Sequence, residues 1–146
     1  VLGDARLTLE KAPAGSLDYL VIDAFASDAV PVHLMTREAM TLYLSKLAPD
    51  GILALHVSNR HLDLHSVATS TAKSLGGTLV ALADDRFSDA GLDRSPSHVV
   101  LVTRSAKTFA EVLKLPYASE VKAATVRPWT DDYSDILGAL WRNARR

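Results

Sequence analysis

The sequence predicts an α/β domain in which helices pack on a mostly parallel sheet. Three observations predict it. Short β-branched apolar runs alternate with stretches of helical spacing. Strand, helix, strand in alternation implies a parallel sheet with right-handed crossovers. The first run, Leu20-Val21-Ile22, is continuous rather than alternating, which is the pattern of a strand covered on both faces. Turn signals at Pro49-Asp50-Gly51 and Gly76-Gly77 then cut the chain into units of the right length.

The elements follow in order. The Leu20–Ile22 strand stops at Asp23, and a polar stretch with Pro31 follows. Thr36 is placed to cap a helix starting at Arg37, with Glu38 favourably set in its first turn. Met40, Tyr43, Leu44 and Leu47 fall on one face of that helix. Ile52 to Val57 forms the second strand. Leu64, Val67, Ala68, Ala72 and Leu75 repeat the helical spacing, and Gly76-Gly77 closes the helix. Thr78 to Leu82 is a third strand, Asp84 to Ser97 a long loop, and His98 to Thr103 a fourth strand. No helical period separates the last two strands, so the last is expected to run antiparallel. Lys107 to Leu115 is a short helix stopped by Pro116. Ser134 is the expected cap of a final helix carrying Ile136, Leu137, Leu140 and Trp141.

The bulk numbers bound the function. The chain has 146 residues, 48% of them hydrophobic and 23% charged, which fits a single soluble domain over 1–146. A net charge of −1 argues against a dedicated nucleic-acid binder. With no cysteine there is neither a disulfide framework nor a thiolate nucleophile. No apolar run approaches the roughly 20 residues of a membrane span, and a cytoplasmic location is expected. The opening Val-Leu-Gly-Asp carries no signal-peptide pattern and no initiator Met, as expected of a processed chain or a fragment.

Ligands of open parallel sheets bind beyond the carboxyl ends of the strands. Asp23 ends a strand there, with Asp28 five residues on. Two acids at such a rim suit holding a cation and taking a proton from an amine. The alternative is that Asp23 only caps a turn. Asp4, with Ala5 after it, stands just before a helix, where a carboxylate can accept from an exocyclic amine or simply serve the turn. His56 and Asn59 end the second strand at the same rim. His61 and His65 are four apart, but no Glu follows His61, so no metal site is expected. Trp129-Thr130-Asp131-Asp132-Tyr133 reads either as a lid or as a capping segment with one core aromatic. No Gly-rich strand-to-helix turn is present.

Residues 17–31, LDYLVIDAFASDAVP, with His33-Leu34, Thr36, Glu38-Ala39 and Tyr43, resemble spermidine-synthase-like proteins. The segment His56-Val57-Ser58-Asn59-Arg60 with Leu62-Asp63-Leu64, and Thr130-Asp131-Asp132-Tyr133, are similar to them too. The likeness is closest to members fused to a membrane transporter-like region. It implies a partial Rossmann-like methyltransferase fold, the C-terminal part of such a domain without its Gly-rich cofactor loop. It also implies aminopropyl transfer from decarboxylated S-adenosylmethionine to a polyamine such as putrescine, with no tightly bound cofactor. Asp23 then matches the proton acceptor, Asp4 with Ala5 the nucleoside contact, and Asp28, Asp131 and Tyr133 the acceptor site. Three residues after Asp23 stands Ala26, where the family has a second acid. A small-molecule S-adenosylmethionine-dependent methyltransferase and a non-catalytic binding module are the alternatives. Two further expectations follow from a domain lacking its first half: little turnover by this chain alone, and self-association into a homo-oligomer.

Overall fold

A computed structural model describes residues 4–23, 32–85 and 97–145. Five strands form one open sheet in the order β1-β2-β4-β3-β5. They are β1 (Leu17–Ile22), β2 (Leu47–His56), β3 (Leu79–Asp85), β4 (Ser97–Thr103) and β5 (Ala118–Glu120). β1 pairs with β2 in parallel; β4 lies between β2 and β3 and is antiparallel to both; β5 is antiparallel to β3. β1, β2 and β3 therefore share one direction, and β4 is reversed as the sequence leads one to expect. Its insertion between β2 and β3, and the short β5, are not visible in the periodicity.

The helices are α1 (Ala5–Glu10), α2 (Arg37–Lys46), α3 (Leu64–Lys73), α4 (Ala106–Val112) and α5 (Ile136–Ala144). Each starts on a side chain that accepts from the free N–H groups of its first turn: Asp4, Thr36, Asp63, Ser105 and Asp135. The cap of α5 is Asp135 rather than Ser134, because the Asp135 carboxylate reaches the Gly138 N–H at 2.8 Å. Gly76 and Gly77 take φ of +67° and +63° after α3, a backbone region that favours glycine.

Strand alternation sorts side chains onto two faces. Leu20 and Ile22, Leu53 and Leu55, Val80, and Val100 and Val102 meet α2, α3 and Trp129 in the larger core. Ala54, Ala81 and Leu101 meet Phe109 and Val112 of α4 in the smaller one. β1 departs from the expectation of burial on both faces. It pairs only with β2 among the described residues, and Tyr19 and Val21 stand 58% and 51% exposed on the face away from the main core. β2 also begins earlier than expected: Leu17 pairs with Leu47, then Tyr19 with Ile52, so residues 48–51 form a bulge. Gly51 fits there because a Cβ would come within 2.9 Å of the Leu17 carbonyl oxygen.

α1 and α2 lie side by side and point the same way. Lys46 Nζ, at the end of α2, donates to the carbonyls of Glu10 and Ala12 at 3.1 and 2.8 Å. That cation satisfies orphan carbonyls at and just beyond the end of α1. Since α2 leads into the start of β2, the N-termini of both helices stand at the carboxyl edge of the sheet.

Leu55 is fully buried in the larger core. Leu55→Ala is expected to cost about 2–5 kcal/mol in urea unfolding. Tyr19→Ser, on the open face of β1, is expected to change stability by less than about 0.5 kcal/mol; an equal loss for both would contradict this core assignment.

Candidate functional site

Asp23 is the first residue beyond β1, and His56 is the last of the neighbouring strand β2. The parallel register sets Ile22 against Leu55, so the next residues of both strands emerge side by side. Asp23 Oδ1 lies 2.8 Å from His56 Nδ1. The side chains are 65% and 36% exposed, so the pair faces the rim rather than the core. Just beyond, Asn59 Oδ1 accepts from the backbone N–H groups of His61 and Leu62, both at 2.9 Å. Ser58 Oγ accepts from the His98 N–H at 2.8 Å, tying this loop to the start of β4. The expectation that Asp23, His56 and Asn59 share one rim matches this geometry, although Asn59 shapes the loop.

A second cluster surrounds the N-termini of α1 and α2. Asp4 Oδ1 accepts from the N–H groups of Arg6 and Leu7 at 2.9 and 3.0 Å. Asp4 Oδ2 lies 3.4 Å from His33 Nε2. The Leu7 N–H above all, with the Arg6 N–H and His33, holds the Asp4 carboxyl below its ordinary range against a smaller opposing effect of burial. Ala5 opens the helix beside it. Arg6 forms a two-pronged pair with Asp131 at 2.8 and 2.7 Å, and Thr36 Oγ1 donates to the same carboxylate at 2.7 Å. The Arg6 hydrogen bond is the main reason Asp131 titrates low and Arg6 high. The Asp131 N–H donates to Glu38 Oε2 at 3.0 Å. Tyr43 is buried below this cluster, and that burial pushes its phenol up to about 12.

Of the residues expected to meet an acceptor, Asp28 lies outside the described residues. Asp131 has its carboxylate engaged by Arg6 and Thr36. Tyr133 closes a tight turn with Thr130, each N–H bonding to the other's carbonyl at 2.9 and 3.1 Å, and the Arg127 guanidinium sits 3.9 Å over its ring. Trp129 is fully buried in the main core, and its carbonyl accepts from the Arg37 N–H at 2.9 Å. Trp129 is thus a core aromatic, and the turn after it is bonded to the starts of α1 and α2. Among the described residues no hydrogen bond or ion pair joins this cluster to Asp23 and His56.

The sequence had not marked Arg6, and it placed His56 at the rim without pairing it to Asp23. The signal for the pair was present, since an acid and an imidazole each end a strand. Pairing them requires the register. A hollow of about 310 Å³ lined by Gly15, Leu44, Leu47, Pro49 and Arg104 sits at the opposite, amino edge of β2 and is unrelated to these groups.

No family model matches the sequence, and no curated protein matches it. Solved structures do match in fold. One is a probable spermidine synthase from Corynebacterium glutamicum, TM-score 0.55 and 19% identical, the match covering 82% of this chain and 47% of that one. Another is the spermidine synthase from Thermotoga maritima, TM-score 0.53 and 16% identical, covering 96% and 45%. The chain thus spans a little under half the length of these structures. The architecture is that of a Rossmann-like methyltransferase fold.

Asp131 titrates below 3.8, so its contribution to stability is complete above that value. It is lost as the pH falls through the lower folded-state value. Arg6→Met is therefore expected to lower Tm modestly at neutral pH, the pair being partly exposed. The difference from wild type should close below about pH 4. A gap that widened on acidification would show that Asp131 is not the partner through which Arg6 acts.

Proposed function

We propose that the chain forms the acceptor-side part of an aminopropyltransferase related to spermidine synthases. Such an enzyme transfers an aminopropyl group from decarboxylated S-adenosylmethionine to a polyamine such as putrescine. The observation that carries the reading is Asp23, a carboxylate at the carboxyl end of a parallel strand, on a sheet whose fold is shared with two spermidine synthase structures. That edge is where open α/β sheets bind ligands.

An acceptor amine is an ammonium ion at neutral pH and is not a nucleophile until it gives up a proton. A rim carboxylate both attracts the cation and promotes that loss. Asp4, at the start of α1 with Ala5, is the proposed nucleoside contact. Asp28, Asp131 and Tyr133 are the proposed acceptor contacts; Asp131 reaches a ligand only through an oxygen it already shares with Arg6 or Thr36. Methyl transfer to a small molecule is the second reading. It is favoured by Ala26, which stands where the family has the second acid of a diamine site.

Calorimetric titration with methylthioadenosine and with putrescine tests the binding part, and mass spectrometry of the products separates aminopropyl from methyl transfer. In a protein that joins this chain to a complete cofactor-binding half, Asp23→Asn is expected to lower kcat by about 10²–10⁴-fold with an unchanged Tm. Near-normal kcat in a folded variant would remove Asp23 from the mechanism.

Among the described residues β1 pairs on one edge only and exposes Tyr19 and Val21, which also supports self-association of the chain. A dimer by light scattering at micromolar concentration is expected; a monomeric mass throughout would count against it. Among the described residues no helix is long and apolar enough to cross a membrane.

A further inference from the structure

We propose that His56 is the proton-accepting residue of the rim, through Nε2, and that Asp23 acts by holding its ring in one tautomer. The inference rests on the transfer reading given above and moves its proton-accepting role from the Asp23 carboxylate to the imidazole beside it.

The geometry is specific about which nitrogen carries hydrogen. An ionised carboxylate only accepts hydrogen bonds. The 2.8 Å contact between Asp23 Oδ1 and His56 Nδ1 therefore requires a hydrogen on Nδ1. A neutral imidazole carries one N–H, so its Nε2 is left with a lone pair. Among the described residues no group donates to that nitrogen. The side chain is partly exposed at the rim where a ligand of this sheet binds. Both partners are held by rigid elements, since they follow Ile22 and Leu55 of one parallel ladder. The pair has little structural purpose of its own, because an ion pair this exposed adds little to stability.

The chemistry balances. An N–H bond of the acceptor ammonium breaks, the proton passes to Nε2, and the electron pair stays on the amine. That pair forms the new C–N bond as the C–S bond of a sulfonium donor breaks and its electrons return to sulfur. The imidazolium formed is stabilised by the Asp23 carboxylate against Nδ1, the arrangement that makes an acid–imidazole pair an effective base.

The test uses ¹⁵N-labelled chain and does not depend on turnover. Two-bond ¹H–¹⁵N spectra distinguish the tautomers. Wild-type His56 is expected as the Nδ1–H form, shifting toward the Nε2–H form in Asp23→Ala while the remaining backbone signals stay in place. Diethyl pyrocarbonate, which reacts at unprotonated ring nitrogen, followed by peptide mass mapping, reads the reactivity of the same ring. Modification of His56 is expected to slow several-fold in Asp23→Ala, with His33 and His61 unchanged. An Nε2–H tautomer in the wild type, or a tautomer and reactivity indifferent to Asp23, overturns the proposal. The wild-type spectrum alone decides it if the variant does not fold. Failure of putrescine and methylthioadenosine to bind is a separate result, which removes the transfer reading and leaves the tautomer as measured.

Discussion

The parallel register of β1 on β2 is the constraint on which the site depends. A one-residue slip would exchange the two faces of β1. Leu20 and Ile22 would leave the core, Tyr19 and Val21 would enter it, and Asp23 would no longer stand beside His56. The register is fixed from both ends. Ile22 and Leu55 are buried together in the main core, and at the start of the strands the 48–51 bulge accommodates the close approach of Gly51 to Leu17. Apolar packing that has no chemical role thus decides where the two polar groups of the rim meet.

A different kind of interaction holds the second cluster. Asp131 lies far along the chain from Arg6, Thr36 and Glu38, and its hydrogen bonds to all three bind the 130–133 turn to the starts of α1 and α2. The paired guanidinium and carboxylate give direction as well as attraction. Buried Trp129 next to that turn supplies the apolar anchor. The same carboxylate cannot serve freely as a recognition group and as this clasp, so its contribution to binding is limited by what Arg6 and Thr36 already take. Among the described residues Asp23 has one protein partner, and its side chain is 65% exposed, which makes it the more available acid of the two.

Much of the fold was legible because the apolar periodicity is local. Thr36 with Glu38 marked the start of α2, and Gly76-Gly77 its counterpart after α3, since caps are read from adjacent residues. The antiparallel turn of β4 followed from the absence of a helical crossover before it. The order of strands did not follow, because β4 displaces β3 from β2 through pairing between residues about 50 apart. The open face of β1 escapes the sequence for a related reason: a run such as Leu20-Val21-Ile22 suits a covered strand, and only the tertiary arrangement leaves Tyr19 and Val21 exposed. In the site, strand ends were recoverable from sequence, while the Asp23–His56 contact and the Arg6–Asp131 pair depend on tertiary register.

Rigidity distinguishes the two clusters functionally. A group that moves a proton must keep its orientation within a narrow range while the substrate changes charge. Asp23 and His56 meet that condition because one directly follows β1 and the other ends β2 in a single parallel ladder. Asp4 meets it less directly: its carboxylate is already committed to the first N–H groups of a short helix and to His33. Such a carboxylate can still accept from an amine, but only with the lone pairs that capping leaves over. In the proposed transfer the strand-end pair exchanges the proton, whereas fixed donors hold the carboxyls of Asp4 and Asp131 low.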